Sequence, residues 1–289
     1  MSSPRPIRKR PRWLAGAINI IAVAGLLYLA TFLPPDTSLD VMRGGGTLRV
    51  CVPQSAPPLV TGDARAPGYD IEVLQHLAGH LNVRLHLNYN PAIGQDFNPR
   101  NWRLTRAQCS IVAGGVIDST ATRGFLQLLP TGITSGWAAI VPDDTSPQPV
   151  KAVAVLPSQG LDRLALSGFL REKGIRAVPA RSPENLAAAL EAGTADMAIA
   201  DRFTIGAVPV GEIDIRVVWL PEPPFTRLPL AFGLWKGDLT LMRALRDGMT
   251  ELERDGTLRT IAERYGLDIE PEASDDMAVL LSLAPEVTP

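Results

Sequence analysis

Short β-type runs alternate with helical patterns from Thr47 to Gly266, and that order leads to an α/β fold built on parallel strands. A helix carries the chain back across a sheet, so the strands on either side of it point the same way. "TLRVCV" (47–52) reads as the first strand. In "YDIEVLQHLAGHL" (69–81), Ile71, Leu74, Leu77, Ala78 and Leu81 make one apolar stripe at helical spacing. "VRLHLNY" (83–89) alternates as a strand does, "CSIVAGG" (109–115) reads as a buried strand, and "GWAAIVP" (136–142) as another.

A second α/β block follows. "KAVAVL" (151–156) is a strand pattern, and "LDRLALSGFLREKG" (161–174) is a helix closed by glycine. "IRAVPA" is again a strand. "SPENLAAALEAG" (182–193) has a Ser N-cap, Pro in the first turn and Glu184 near the positive end of the helix dipole. "ADMAIA" (195–200) is a strand ended by Asp201, and a Pro-rich connection (221–229) leads to the strand "LAFGLW" (230–235). Two helices, 239–256 and 258–266, close the block, and an acidic, then apolar tail runs from 269 to 289.

Ahead of all this, residues 13–33 form a 21-residue run without a charge. At ~1.5 Å per residue it covers roughly 30 Å, one hydrocarbon core. Five of the 28 basic residues stand in the first twelve positions, where there is no acid. By the positive-inside rule, residues 1–12 are cytoplasmic and the chain after the run lies outside the cytoplasmic membrane, with the run as a single-pass anchor. A cleaved signal peptide is the competing reading, and it exports the same body. Residues 34–46, rich in Pro and Gly, read as a linker.

Charge and cysteines narrow the function classes. Beyond residue 12 the chain holds 23 basic against 30 acidic groups, which argues against a nucleic-acid partner. The only cysteines are Cys51 and Cys109. In an exported protein they suit a disulfide if their strands pair side by side, and two buried thiols otherwise. His76 and His80 have a chelating spacing on a helix. They share with Glu72 the side away from the apolar stripe and read as a solvated face, so no metal and no cofactor is expected.

"GYDIEVLQHLAGHL" (68–81) resembles the motif that opens the first helix of family 3 extracellular solute-binding proteins. "GTLRVCV" before it, T-x-x-R at Thr120–Arg123, "EAGTADMAIADR" (191–202) and the closing segment 230–266 are similar to that family in the same order. The resemblance implies a two-lobe periplasmic-binding-protein fold of type II, a Venus flytrap with two hinge strands. The domain would span 46–268, with lobe one over 46–140 and 230–267 and lobe two over 143–228. It also implies a small-molecule ligand, an amino acid or another small carboxylate, and an ABC permease as partner.

Residue by residue, the resemblance places Arg123 on the ligand's carboxylate, where a planar fork makes two parallel charge-assisted bonds. It places Asp201 on the ligand's ammonium. Ser119 and Thr120 compete for one further contact, and Gly115, Gln159 and Gly160 supply backbone contacts. Pro57-Pro58-Leu59 stands where the family often carries Pro-Pro-Phe, so an aromatic lid is missing. Two other functions share this fold: an accessory or sensor protein, and a dehydratase-like enzyme. Without a P-loop, a G-x-S-x-G elbow or an evident acid–base pair, binding rather than catalysis is expected.

Overall fold

The computed structural model describes residues 12–30, 36–93, 99–142, 150–157, 161–211, 214–267 and 269. The chain divides into two units, one ending at Thr37 and one beginning at Ser38.

The first unit holds α1 (Arg12–Ala30), whose described apolar side chains, Ile18 through Tyr28, are exposed. Among the described residues no helix is long and apolar enough to cross a membrane, so the span expected over 13–33 is not found. Residues 31–33 lie outside the described residues.

The second unit opens with a correction to the linker. Ser38–Gly44 form a short helix, α2, with Met42 buried and the Ser38 hydroxyl 3.1 Å from that of Thr240. Two five-stranded sheets follow. The first has the order β2-β1-β3-β10-β4. In it β1 (Thr47–Val52) runs parallel to β2 (Arg84–Tyr89) and to β3 (Ile111–Val112). β10 (Leu228–Trp235) is antiparallel to β3 and to β4 (Leu126–Ser135). Side chains alternate across β1. Leu48, Val50 and Val52 enter the larger core, while Cys51 faces the other way, toward Trp102, Cys109 and Trp235.

The larger core is closed by α3 (Tyr69–His80), α8 (Leu239–Arg254) and α9 (Thr257–Arg264). Gly68 starts α3 at φ 110°, where a Cβ would lie 2.3 Å from the Leu59 carbonyl oxygen, so glycine is required there. The Tyr69 hydroxyl, fully buried, donates to the Thr131 carbonyl at 2.7 Å. Glu72 is not on a solvated face. It is 8% exposed, pairs with Arg264, and accepts a 2.6 Å hydrogen bond from Tyr265. Only His76 and His80 keep the outer side, with His80 Nδ1 3.0 Å from Glu251.

On the other face Cys51 and Cys109 are joined in a disulfide with Cα atoms 5.5 Å apart. The pairing of β1 with β3 is what brings them together: Cys51 faces Val112 in register, three residues past Cys109.

The second sheet has the order β7-β6-β8-β5-β9. β6 (Ala152–Val155) is parallel to β7 (Arg176–Pro179) and β8 (Met197–Asp201), while β5 (Trp137–Pro142) is antiparallel to β8 and β9 (Ile215–Trp219). α5 (Arg163–Glu172) covers one face and α6 (Pro183–Glu191) the other. Both have side-chain N-caps: Asp162 accepts from Leu164 and Ala165, and Ser182 from Asn185. Two crossings join the sheets. β4 passes into β5 through Gly136 alone, where a Cβ would stand 3.0 Å from the Trp219 ring, and β9 returns to β10 through residues 220–227.

Candidate functional site

In open α/β sheets, solutes bind beyond the carboxyl ends of the parallel strands. Here β1 leads into Pro53, β3 into Gly114–Gly115, and β8 ends on Asp201. Gly114 and Gly115 have φ of 91° and 92°, and a Cβ on Gly114 would lie 2.3 Å from Pro53. The turn is held from beneath by Asp70, 2% exposed, whose Oδ2 accepts from Gly114 N–H at 2.8 Å. Burial pushes this carboxyl up to about 7, against the downward pull of the Gly114 and Gly115 N–H groups. Its Oδ1 has no hydrogen-bond partner. Gly115, expected to offer its backbone to a solute, is half-buried with its N–H acting on Asp70.

Beyond the turn the chain is pinned to β10. Ala231 N–H donates to Val116 at 2.9 Å and Asp118 N–H to Pro229 at 2.8 Å. Ser119 then caps α4 (Thr120–Phe125), accepting from Thr122 N–H at 3.1 Å, and its carbonyl accepts from Arg123 N–H at 2.8 Å. Ser119 is therefore a helix cap, and Thr120 sits exposed in the first turn. Gly124 and Phe125 complete this six-residue helix.

Arg123 is where sequence and structure part most clearly. Its side chain is 68% exposed, yet one edge of its guanidinium is filled: Nε donates to Asp118 Oδ1 at 2.5 Å and Nη2 to Oδ2 at 2.7 Å. The two parallel bonds expected for a ligand's carboxylate are made to a carboxylate of this chain. The hydrogen bond from Arg123 holds the Asp118 carboxyl below its ordinary range, and the same bond raises Arg123. Sequence reasoning missed Asp118. The signal was an acid five residues before the arginine, just after the Gly pair.

Asp201, expected on a ligand's ammonium, is the N-cap of α7 (Arg202–Ile205). Oδ1 accepts from Phe203 and Thr204 N–H at 3.1 and 3.0 Å, and Oδ2 from the Thr204 hydroxyl at 2.5 Å. Gln159 and Gly160 lie outside the described residues. Leu59, in the place of an aromatic lid, is 2% exposed and packs into the core. A feature not expected from the sequence is Trp219 at the crossing, with the guanidinium carbons of Arg227 and Arg202 at 5.0 and 5.9 Å from its ring. Among the described residues no cluster of His, Cys, Asp or Glu is arranged to hold a metal ion.

A family model for bacterial extracellular solute-binding proteins, family 3, matches residues 48–268. No curated protein matches the chain. Among solved structures, an ancestral cationic amino acid solute-binding protein is 21% identical, over 79% of this chain and 99% of its own, with a TM-score of 0.61. The L-cystine solute receptor of Neisseria gonorrhoeae, in its unliganded open conformation, is 19% identical over 81% of this chain and 99% of its own, with a TM-score of 0.62. An ancestral amino acid-binding protein described as a precursor of cyclohexadienyl dehydratase is 21% identical over 79% and 98%, with a TM-score of 0.53. At these identities the likeness establishes the fold.

Proposed function

Because this chain belongs to the bacterial extracellular solute-binding proteins of family 3, we propose that it captures a small organic solute, an amino acid or a derivative of one, between two lobes. Lobe one takes 46–140 and 230–267, lobe two 143–228, and the crossings at Gly136 and at 220–227 are the hinges. The observation that carries this reading is the placement of charged residues at the strand ends of both sheets: the Asp118–Arg123 pair after β3, and Asp201 at the end of β8. A solute touching both favours the closed state by its differential contacts. Delivery to an ABC importer is the use we assign to it. Residues 13–33, behind their basic cluster, serve as the export element, retained or cleaved, which puts the lobes in the periplasm.

A sensor or accessory role is the second reading, favoured by one observation: the arginine fork is already satisfied within the chain. Adjacent permease and ATPase genes would point to transport, and their absence to the sensor. A dehydratase-like activity has only likeness of fold behind it, and the acids at both strand ends are held in structural hydrogen bonds.

The test is a thermal-shift screen of free amino acids together with their amides and decarboxylated amines. Saturation at a hundredfold the Kd stabilises the folded state by about 2.7 kcal/mol, a shift of several degrees. The stabilisation should weaken in Asp201→Ala. If no member of the screen moves the midpoint of the wild type, capture of amino acids and their derivatives is wrong.

A further inference from the structure

Building on the solute-binding reading, we infer that Asp118 is a specificity-determining residue: it occupies the Nε–Nη2 edge of Arg123, cancels its charge, and so turns free carboxylates away from this end of the cleft. The edge made by Nε and Nη2 matches a carboxylate in two parallel bonds, and both atoms are engaged, at 2.5 and 2.7 Å. Asp118 is no loose surface acid. Its side chain is 13% exposed, its N–H is bonded to Pro229, and the preceding Ile117 bridges to Leu230. Arg123 is held one helical turn beyond, its N–H on the Ser119 carbonyl. The backbone fixes both ends of the pair, so the pair is built in.

Two consequences follow from charge. The filled pair is neutral, so an incoming carboxylate gains little from Arg123 and is repelled by the Asp118 oxygens beside it. A partner fixed in the same chain also competes at a high effective concentration, which a micromolar solute does not match. A neutral group in place of the carboxylate meets no such repulsion. The solute class is therefore an amine or an amino acid with its carboxyl group masked, such as an amide or ester, rather than a free amino acid.

Titration calorimetry with glycine, L-alanine and L-glutamine, against glycinamide and L-alaninamide, tests this on four proteins: wild type, Asp118→Ser, Asp118→Asn and Asp118→Ser/Arg123→Ala. Emptying the fork in Asp118→Ser should tighten binding of the free acids by about tenfold or more, the equivalent of one charge-assisted hydrogen bond. The double variant should lose that gain, and Asp118→Asn, which keeps one acceptor, should fall between. Free acids binding wild type as tightly as Asp118→Ser would overturn the inference and leave solute capture standing. So would an Asp118→Ser protein that melts like wild type and binds no free acid. Free acids binding only to Asp118→Ser, with nothing binding to wild type, would uphold the inference and count against capture. Separately, carbon-13 NMR should find the Asp118 carboxyl titrating below its ordinary range in wild type and returning to it in Arg123→Ala. Ordinary titration in wild type would mean there is no pair.

Discussion

Asp70 and Asp118 are both carboxylic acids near the same turn, and their surroundings drive them in opposite directions. Asp118 is stabilised as an anion by Arg123, while burial pushes Asp70 up to about 7. The folded chain thus keeps a proton on Asp70 that the unfolded chain gives up near pH 4. Asp70's contribution to stability is complete below about pH 4 and is lost as pH rises through 7. Asp118 contributes above its ordinary range and loses its share as the solution becomes more acidic. We predict that Asp70→Asn, whose amide oxygen still accepts from Gly114, flattens the fall in melting temperature between pH 4 and 7. Calorimetry across that range checks it, and parallel slopes for the two proteins would refute it. None of this was legible from residue types. Asp70 was visible as a motif acid and Arg123 as a candidate grip, but Asp70's partner lies on a turn 44 residues away, and Asp118, five residues before Arg123, is set in place by the Ile117–Leu230 bridge.

Among the elements, α3 shows how far local pattern reaches. Its apolar stripe and its length were readable, because they depend on helical period, and its glycine start came with the motif that carries the family resemblance. Two of its glycines should behave oppositely. Gly68→Ala puts a Cβ against Leu59 and Val60 backbone at positive φ, and we expect a loss of at least about 2 kcal/mol. Gly79→Ala, with nothing within 4 Å of the new carbon, should gain about 0.5–1 kcal/mol. Urea melts of the two variants distinguish them, and equal effects would mean that the contact at Gly68 is not as described. β4 and β9 escaped the sequence reading for a different reason. "LQLLPTGITS" and "IRVVW" lack clean alternation, and β4 pairs with β10, about a hundred residues away. Glu72 was misplaced on the outer face because its partners, Arg264 and Tyr265, come from α9.

Across the whole molecule, the disulfide closes a loop of 58 residues that contains α3 and β2. Chain entropy alone puts that closure at about 4 kcal/mol. The double variant Cys51→Ala/Cys109→Ala should lose roughly this much in urea unfolding, and the wild type should lose it on reduction; a loss under about 1 kcal/mol would show that the cross-link contributes little. The alternation of strand and helix patterns, the order of the motifs and the chemistry of each candidate residue belong to the sequence by itself, since period, turn angle and charge act over a few neighbouring positions. That the two cysteines meet, that a supposed linker packs as a helix, and that Arg123 already holds a carboxylate belong to the tertiary structure. The first two depend on segments far apart in the chain being brought into contact, and the third on a strand bridge, Ile117 to Leu230, that sets Asp118 in place for an arginine only five residues on.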